Sequence, residues 1–167
     1  MRCVLAAVGV AAFSLIASPA TASNISEALA VVHKFIGAGN NGDRSAYVSY
    51  CANDAVVVDH VAPYVFRGPT ACGDEWDALV GWADRNKIVL GANRASKPAF
   101  VDAVGDRVYA VFPVTASITR NGKKGVEAGV WTFTLRRQAQ GWRIEAWAWS
   151  TLKFTPALAT SRANRPQ

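Results

Sequence analysis

The chain has 167 residues, 51% of them apolar and 18% charged, with a formal net charge of +6. That length holds one domain and argues against a two-domain enzyme. The composition excludes a disordered or collagen-like chain, because so apolar a sequence can bury a core.

Arg2, the uncharged run Cys3 to Ala17 and the small-residue ending Ser18-Pro19-Ala20-Thr21-Ala22 have the order of a secretory leader. A run this short falls below the roughly 20 residues needed to cross a bilayer. Cleavage after Ala22 is expected, giving a periplasmic or secreted domain of residues 23–167 with no membrane attachment. Its core is expected over 24–152 and a tail over 153–167. Of the first 22 residues 16 are apolar, so the remaining 145 keep 69, about 48%, an ordinary share for a globular domain. Loss of Cys3 leaves Cys51 and Cys72 in an oxidising compartment, where one disulfide is expected and two separate buried thiols are the alternative.

Ser23 or Asn24 can cap a helix in which Ile25, Leu29, Val32, Phe35 and Ile36 recur at spacings of three and four. Gly37, Gly39 and Asn40-Asn41-Gly42 stop it, and Asp43 caps a short second helix to about Tyr50. Ala55 to Asp59 reads as a strand and Tyr64 to Arg67 as its return. A third helix follows from about Ala71 to Asn86. From Ala99 the apolar period becomes two. Asn121-Gly122 marks a type I′ hairpin, which pairs Phe112 with Trp131, Ala110 with Phe133 and Val108 with Leu135. A second turn at Gln138 to Gly141 brings Ile144, Ala146 and Ala148 to that same inner face. The opposite face then collects Tyr109, Val111, Val130, Trp147 and Trp149. Pro113 implies a bulge or an edge. Helices followed by an antiparallel meander make an α+β fold, helices on one side of a curved sheet. The apolar outer face holding Val130, Trp147 and Trp149 favours a homodimer, unless the tail folds over it.

Charge is unevenly divided, with 3 basic and 8 acidic residues over 23–84 against 14 and 4 over 85–167. The basic residues sit at hairpin tips, strand ends and the tail, without interleaved aromatics, so nucleic acid is not an expected partner. No nucleophile elbow, zinc-protease helix, Cys-x-x-Cys pair, Walker loop or dinucleotide fingerprint occurs, and neither metal nor cofactor is expected. His33 lies among helical apolar residues and reads as structural. Asp59 ends an apolar strand, where desolvation would raise its pKa toward that of a general base. The alternative is an Asp that faces solvent or accepts N–H bonds from the next turn.

The helix ending in NNGD, the segment CANDAVVVDH, the FRGP lead into the third helix and the final WTFTLRRQAQGWRIEAWAW together resemble the SnoaL-like branch of the nuclear transport factor 2-like superfamily, over residues 24 to about 152. The resemblance implies a cone-shaped α+β barrel: three N-terminal helices wrap a curved antiparallel sheet around a pocket, commonly with dimerisation through the sheet. It puts Asp59 at the position of the proton-moving aspartate of the ketosteroid isomerases. The position of their oxyanion tyrosine holds Phe35, and that of their oxyanion aspartate falls near Trp131 on the WTF strand, which argues against steroid isomerisation. It also brings Cys51 and Cys72 to one end of the β-hairpin. Pocket candidates are Phe35, Tyr47, Val57, Tyr64, Trp76, Phe112, Trp131 and Phe133, with Tyr50 able to reach the mouth. Glu127 reads as a hairpin surface residue, and Trp76 and Trp82 as facing different ways. The expected function is an exported pocket protein that binds a small apolar molecule. The alternative is an acid–base enzyme of isomerase, dehydratase or cyclase type, with Asp59 as base and His60 as helper.

Overall fold

The computed structural model describes residues 19–157. Most of the expected leader, residues 1–18, lies outside them, as does the end of the tail from 158. Helix α1 runs Pro19–Asn40, starting four residues ahead of Ser23. Ser23 is therefore inside the helix and its hydroxyl donates to Glu27 Oε1 at 3.1 Å instead of capping. Gly37 and Gly39 stay helical, and the chain turns at Asn41 and Gly42, the latter at φ 70°. Asp43 caps α2 (Arg44–Ser49) as expected, its Oδ1 accepting the Ala46 N–H at 2.9 Å.

Strands β1 (Cys51–Val58) and β2 (Val65–Arg67) form an antiparallel hairpin, and α3 (Ala71–Arg85) follows. Then come β3 (Ile88–Ala95), β4 (Phe100–Val104), β5 (Arg107–Arg120), β6 (Lys123–Gln138) and β7 (Gly141–Pro156). The order across the sheet is β2-β1-β7-β6-β5-β3, with β4 also on β5. β1 lies parallel to β7, so the curved, unclosed sheet is mixed and not wholly antiparallel. Strand β3 has no counterpart among the expected elements. Its alternation breaks at an irregularity between Leu90 and Asn93, where Gly91 runs so close to Ser117 that a Cβ would overlap it.

The hairpin register is the expected one. Asn121 and Gly122 both have positive φ, and Phe112 pairs with Trp131, Ala110 with Phe133 and Val108 with Leu135. Pro113 faces neither kind of edge. On that side of β5, β4 ends its pairing at Val111 and β3 begins at Val114, so the missing N–H falls where the neighbour changes.

The expectation for β7 fails at one residue. Thr134 pairs with Ala146 and Leu135 with Ile144, which leaves Glu145 as an extra residue. Such a bulge reverses the alternation beyond it. Trp142 and Ile144 point inward before it, and Trp147 and Trp149 after it, where Ala146 and Ala148 had been expected. Trp147 is buried in the main core. The outer face keeps Val130 and Tyr109 but has neither tryptophan.

The core between α1 and the sheet holds Val32, Phe35, Phe112, Phe133, Leu135 and Ile144, all fully buried. Each such side chain contributes about 2 to 3 kcal/mol by removal from water. Cys51 and Cys72 form a disulfide, 21 positions apart, tying the start of β1 to the first turn of α3. In unfolded, unreduced protein these two cysteines should resist alkylation. Reduction, or Cys72→Ser, should lower stability to urea by about 3 kcal/mol.

Candidate functional site

A cavity of about 370 Å³ opens between the inner sheet face, α3, β3 and the turn after α1. Its size suits a small organic molecule.

Asp59 leaves the end of β1 and is 6% exposed. The turn after it is closed by its own N–H, which donates to the Tyr64 carbonyl at 3.1 Å. Its Oδ1 accepts the Val61 N–H at 3.3 Å and lies 2.7 Å from His60 Nδ1. Asp59 is thus both withdrawn from water and bonded to the next turn. The Asp59 hydrogen bond is the largest influence on His60 and raises its pKa above the usual 6.5, against the lowering effect of burial. The charges of Asp59 and Glu127 add to the rise, and Arg120 opposes it. The His60 ring meets Trp82 edge to face at 4.8 Å.

A second carboxyl, Glu75, stands on α3 one turn beyond the disulfide and is 1% exposed. The Tyr47 hydroxyl donates to its Oε2 at 3.0 Å, while Oε1 has no hydrogen-bond partner. Burial, and then the charge of Asp59, push the Glu75 pKa up to about 8, with the Tyr47 bond opposing them. Desolvation, followed by the charge and hydrogen bond of Glu75, holds the Tyr47 phenol well above its usual 10. The Tyr47 ring stacks on Phe35, with centroids 4.0 Å apart.

Glu127 supplies the third carboxyl. It is buried, not on the hairpin surface, and accepts from the Thr151 hydroxyl at 2.7 Å. Trp149 Nε1 in turn donates to Thr151 at 3.0 Å. The Trp149 ring lies against Gly129, where a Cβ would overlap it and sit 2.8 Å from the Ser150 carbonyl. The indole N–H groups of Trp131 and Trp147 are buried without a partner.

Of the expected site residues, Asp59, His60, Tyr47, Trp76 and Trp131 line this cavity. Phe35, Val57, Phe112 and Phe133 do not, because they are fully buried in the layer behind it. Tyr64 is excluded for the opposite reason. It sits at φ 73° in the turn after Asp59 and is 59% exposed. Trp76 and Trp82 both line the cavity, since six positions on a helix of 3.6 residues per turn place them only about 120° apart. His33 is on the exposed side of α1. Glu75 was missed, though Ala71, Cys72, Trp76, Leu79 and Ala83 mark the inward stripe of α3 and Glu75 falls within it. Among the described residues no three His, Cys, Asp or Glu side chains gather as a metal site requires.

The sequence matches no known family model and no curated protein. Its shape has many solved counterparts. Hexachlorocyclohexane dehydrochlorinase LinA-type3 from Novosphingobium barchaimii superposes with a TM-score of 0.66 at 17% identity, over 88% of this chain and 96% of that one. A ketosteroid isomerase-like protein from Erwinia carotovora atroseptica gives 0.63 at 17%, over 78% and 97%. An NTF2-like protein with a cystatin-like fold from Novosphingobium aromaticivorans gives 0.64 at 17%, over 78% and 83%. The fold is nuclear transport factor 2-like. At these identities the likeness concerns the fold alone, and proteins that share it differ in activity.

Between pH 4.5 and about 8 the folded Glu75 carboxyl holds a proton that the unfolded chain has released. More protons bound in the folded state mean that stability falls as pH rises, by up to about 1.4 kcal/mol per unit. Urea unfolding of Glu75→Gln at pH 5 and pH 8 should show a flatter dependence than the native protein, with the larger gain at pH 8.

Proposed function

We propose that this is an exported protein that takes a small, largely apolar molecule into the cavity and moves a proton on it, with His60 as base and Asp59 as the residue that positions it. The observation that carries this reading is the 2.7 Å contact of His60 Nδ1 with the buried Asp59 carboxylate at a cavity wall. A carboxylate on Nδ1 holds the proton there, so Nε2 is the basic nitrogen, and it stabilises the imidazolium formed when that nitrogen accepts a proton. The roles are thus exchanged relative to the sequence reading, with Asp59 orienting and His60 exchanging the proton.

The rest of the lining supports acid–base chemistry over nucleophilic chemistry, since among the described residues it includes no Ser, Thr, Cys or Lys. The structural neighbour named as a dehydrochlorinase supports an elimination, in which the base removes a C–H proton as a leaving group departs. Binding without turnover is the second reading, favoured by walls that hold five tryptophans. The disulfide supports an oxidising compartment, in keeping with the expected leader.

Native mass spectrometry of the purified protein should reveal a retained molecule, and incubation in D2O should exchange or eliminate one of its C–H protons. His60→Gln should slow that step by about 100-fold or more. Asp59→Asn should slow it less, and the native rate should climb with pH through a midpoint above 6.5, as His60 loses its proton. A rate untouched by His60→Gln refutes the assignment, and retention without exchange favours binding alone.

The outer sheet face, with Phe100 and Tyr109 exposed and Val130 further along the same face, is the contact proposed for a second copy. Light scattering should give twice the chain mass, reduced to a single chain by Tyr109→Lys.

A further inference from the structure

The cavity wall is acidic and aromatic, and among the described residues that line it there is no Lys or Arg. Two of its three carboxyls have a basic partner. Asp59 has His60 at 2.7 Å, and Glu127 has the Arg120 guanidinium at 4.0 Å in addition to the Thr151 hydroxyl. Glu75 has no basic partner. It holds one phenol, leaves one oxygen unpaired and is shut away from bulk water. Buried carboxyls are ordinarily paired or fully hydrogen-bonded, so a half-satisfied one at a cavity wall calls for a ligand group.

The rings make the same demand independently. Trp76, Trp82, Trp131, Trp147 and Trp149 all line the cavity. They stand at steep angles to their neighbours: 85° between Trp131 and Trp147, 68° between Trp131 and Trp149, and 61° between Trp76 and Tyr47. Rings so inclined turn faces in several directions. The faces of indole rings attract cations, which is why aromatic walls recognise alkylated ammonium groups. An anionic ligand would meet three carboxyls and no basic side chain of the wall other than His60. A hard metal ion needs converging oxygens, which the aromatic walls do not supply.

We propose that the cavity binds a small organic cation, a tertiary or quaternary ammonium with hydrocarbon substituents, its charge set against Glu75 and the indole faces. The inference rests on reading the cavity as a small-molecule site and narrows the ligand class. It does not require turnover. Glu75 becomes the ligand's counter-ion by releasing to solvent the proton it holds in the empty protein below about pH 8, and the hydrocarbon substituents occupy the apolar remainder, where Leu79 and Ile118 lie.

Phenyltrimethylammonium and tert-butylbenzene have nearly the same shape and differ in charge, and both can be titrated against tryptophan fluorescence of the native protein. The cation should bind about tenfold or more tightly than its neutral counterpart, and benzenesulfonate should not bind. Above pH 8, where Glu75 is ionised, Glu75→Gln should weaken the cation by about tenfold and leave tert-butylbenzene within about twofold. If that variant fails to fold, the two probes on native protein decide alone. Equal or tighter binding of tert-butylbenzene, or a cation affinity unmoved by Glu75→Gln, overturns the cation while leaving the small-molecule cavity intact. Failure of both probes at millimolar concentration overturns the cavity as a binding site as well.

Discussion

The extra residue at Glu145 shifts the alternation of β7 by one position, and what the strand contributes to the cavity follows from that shift. Without it the inner face would carry alanines opposite Phe133 and Trp131, and the space between α3 and the sheet would be wider and less aromatic. With it, Trp147 pairs with Phe133 and Trp149 with Trp131 across β6. Thr151, two residues further along and opposite Gly129, keeps the same inward parity and reaches Glu127 just before a second irregularity at Leu152. Bulges re-aim side chains, and here the one at Glu145 selects both the rings and the polar network of one wall.

Parity alone would not seat these rings. Trp149 lies over the backbone of β6 because position 129 has no side chain, and Phe154 lies over Gly125 for the same reason. Large rings on β7 thus face small residues on β6, the kind of interdigitation that lets a sheet keep bulky groups on a concave face without voids. The cost of the arrangement falls on polar atoms. Trp131 and Trp147 each bury an N–H without an acceptor, and Glu75 buries half a carboxyl. Unsatisfied groups of this kind destabilise the fold, and the residues that carry them line the cavity.

The legible parts of the fold were those fixed by local chemistry. Asn121-Gly122 dictates the turn and therefore the register of the long hairpin, and Asp43 dictates the start of α2. The bulge in β7 left no trace, because Ile144, Ala146 and Ala148 form as consistent an apolar set as Trp147 and Trp149. Either parity satisfies the pattern. Strand β3 was hidden by Gly91 and Asn93, which interrupt its period. In the site, Asp59 was legible from its place at the end of an apolar strand, and His60 only as its neighbour. Glu75 and Glu127 were hidden by a general expectation that holds for most glutamates, namely that charge goes to the surface. What overrides that expectation here is the helix phase of one and the strand phase of the other, each of which carries a carboxyl inward among aromatic rings.

The disulfide has a topological consequence for the same site. Residues 51–72 form a covalent macrocycle, and Asp59 and His60 are on it while Glu75 hangs three residues outside. A single main-chain cut in the exposed hairpin tip around Tyr64 opens the ring without releasing any fragment. Each half of the hairpin stays anchored, one through β1 and the disulfide, the other through α3. Asp59 and His60 are therefore attached to the rest of the molecule from both directions, and a nick beside them is a local lesion.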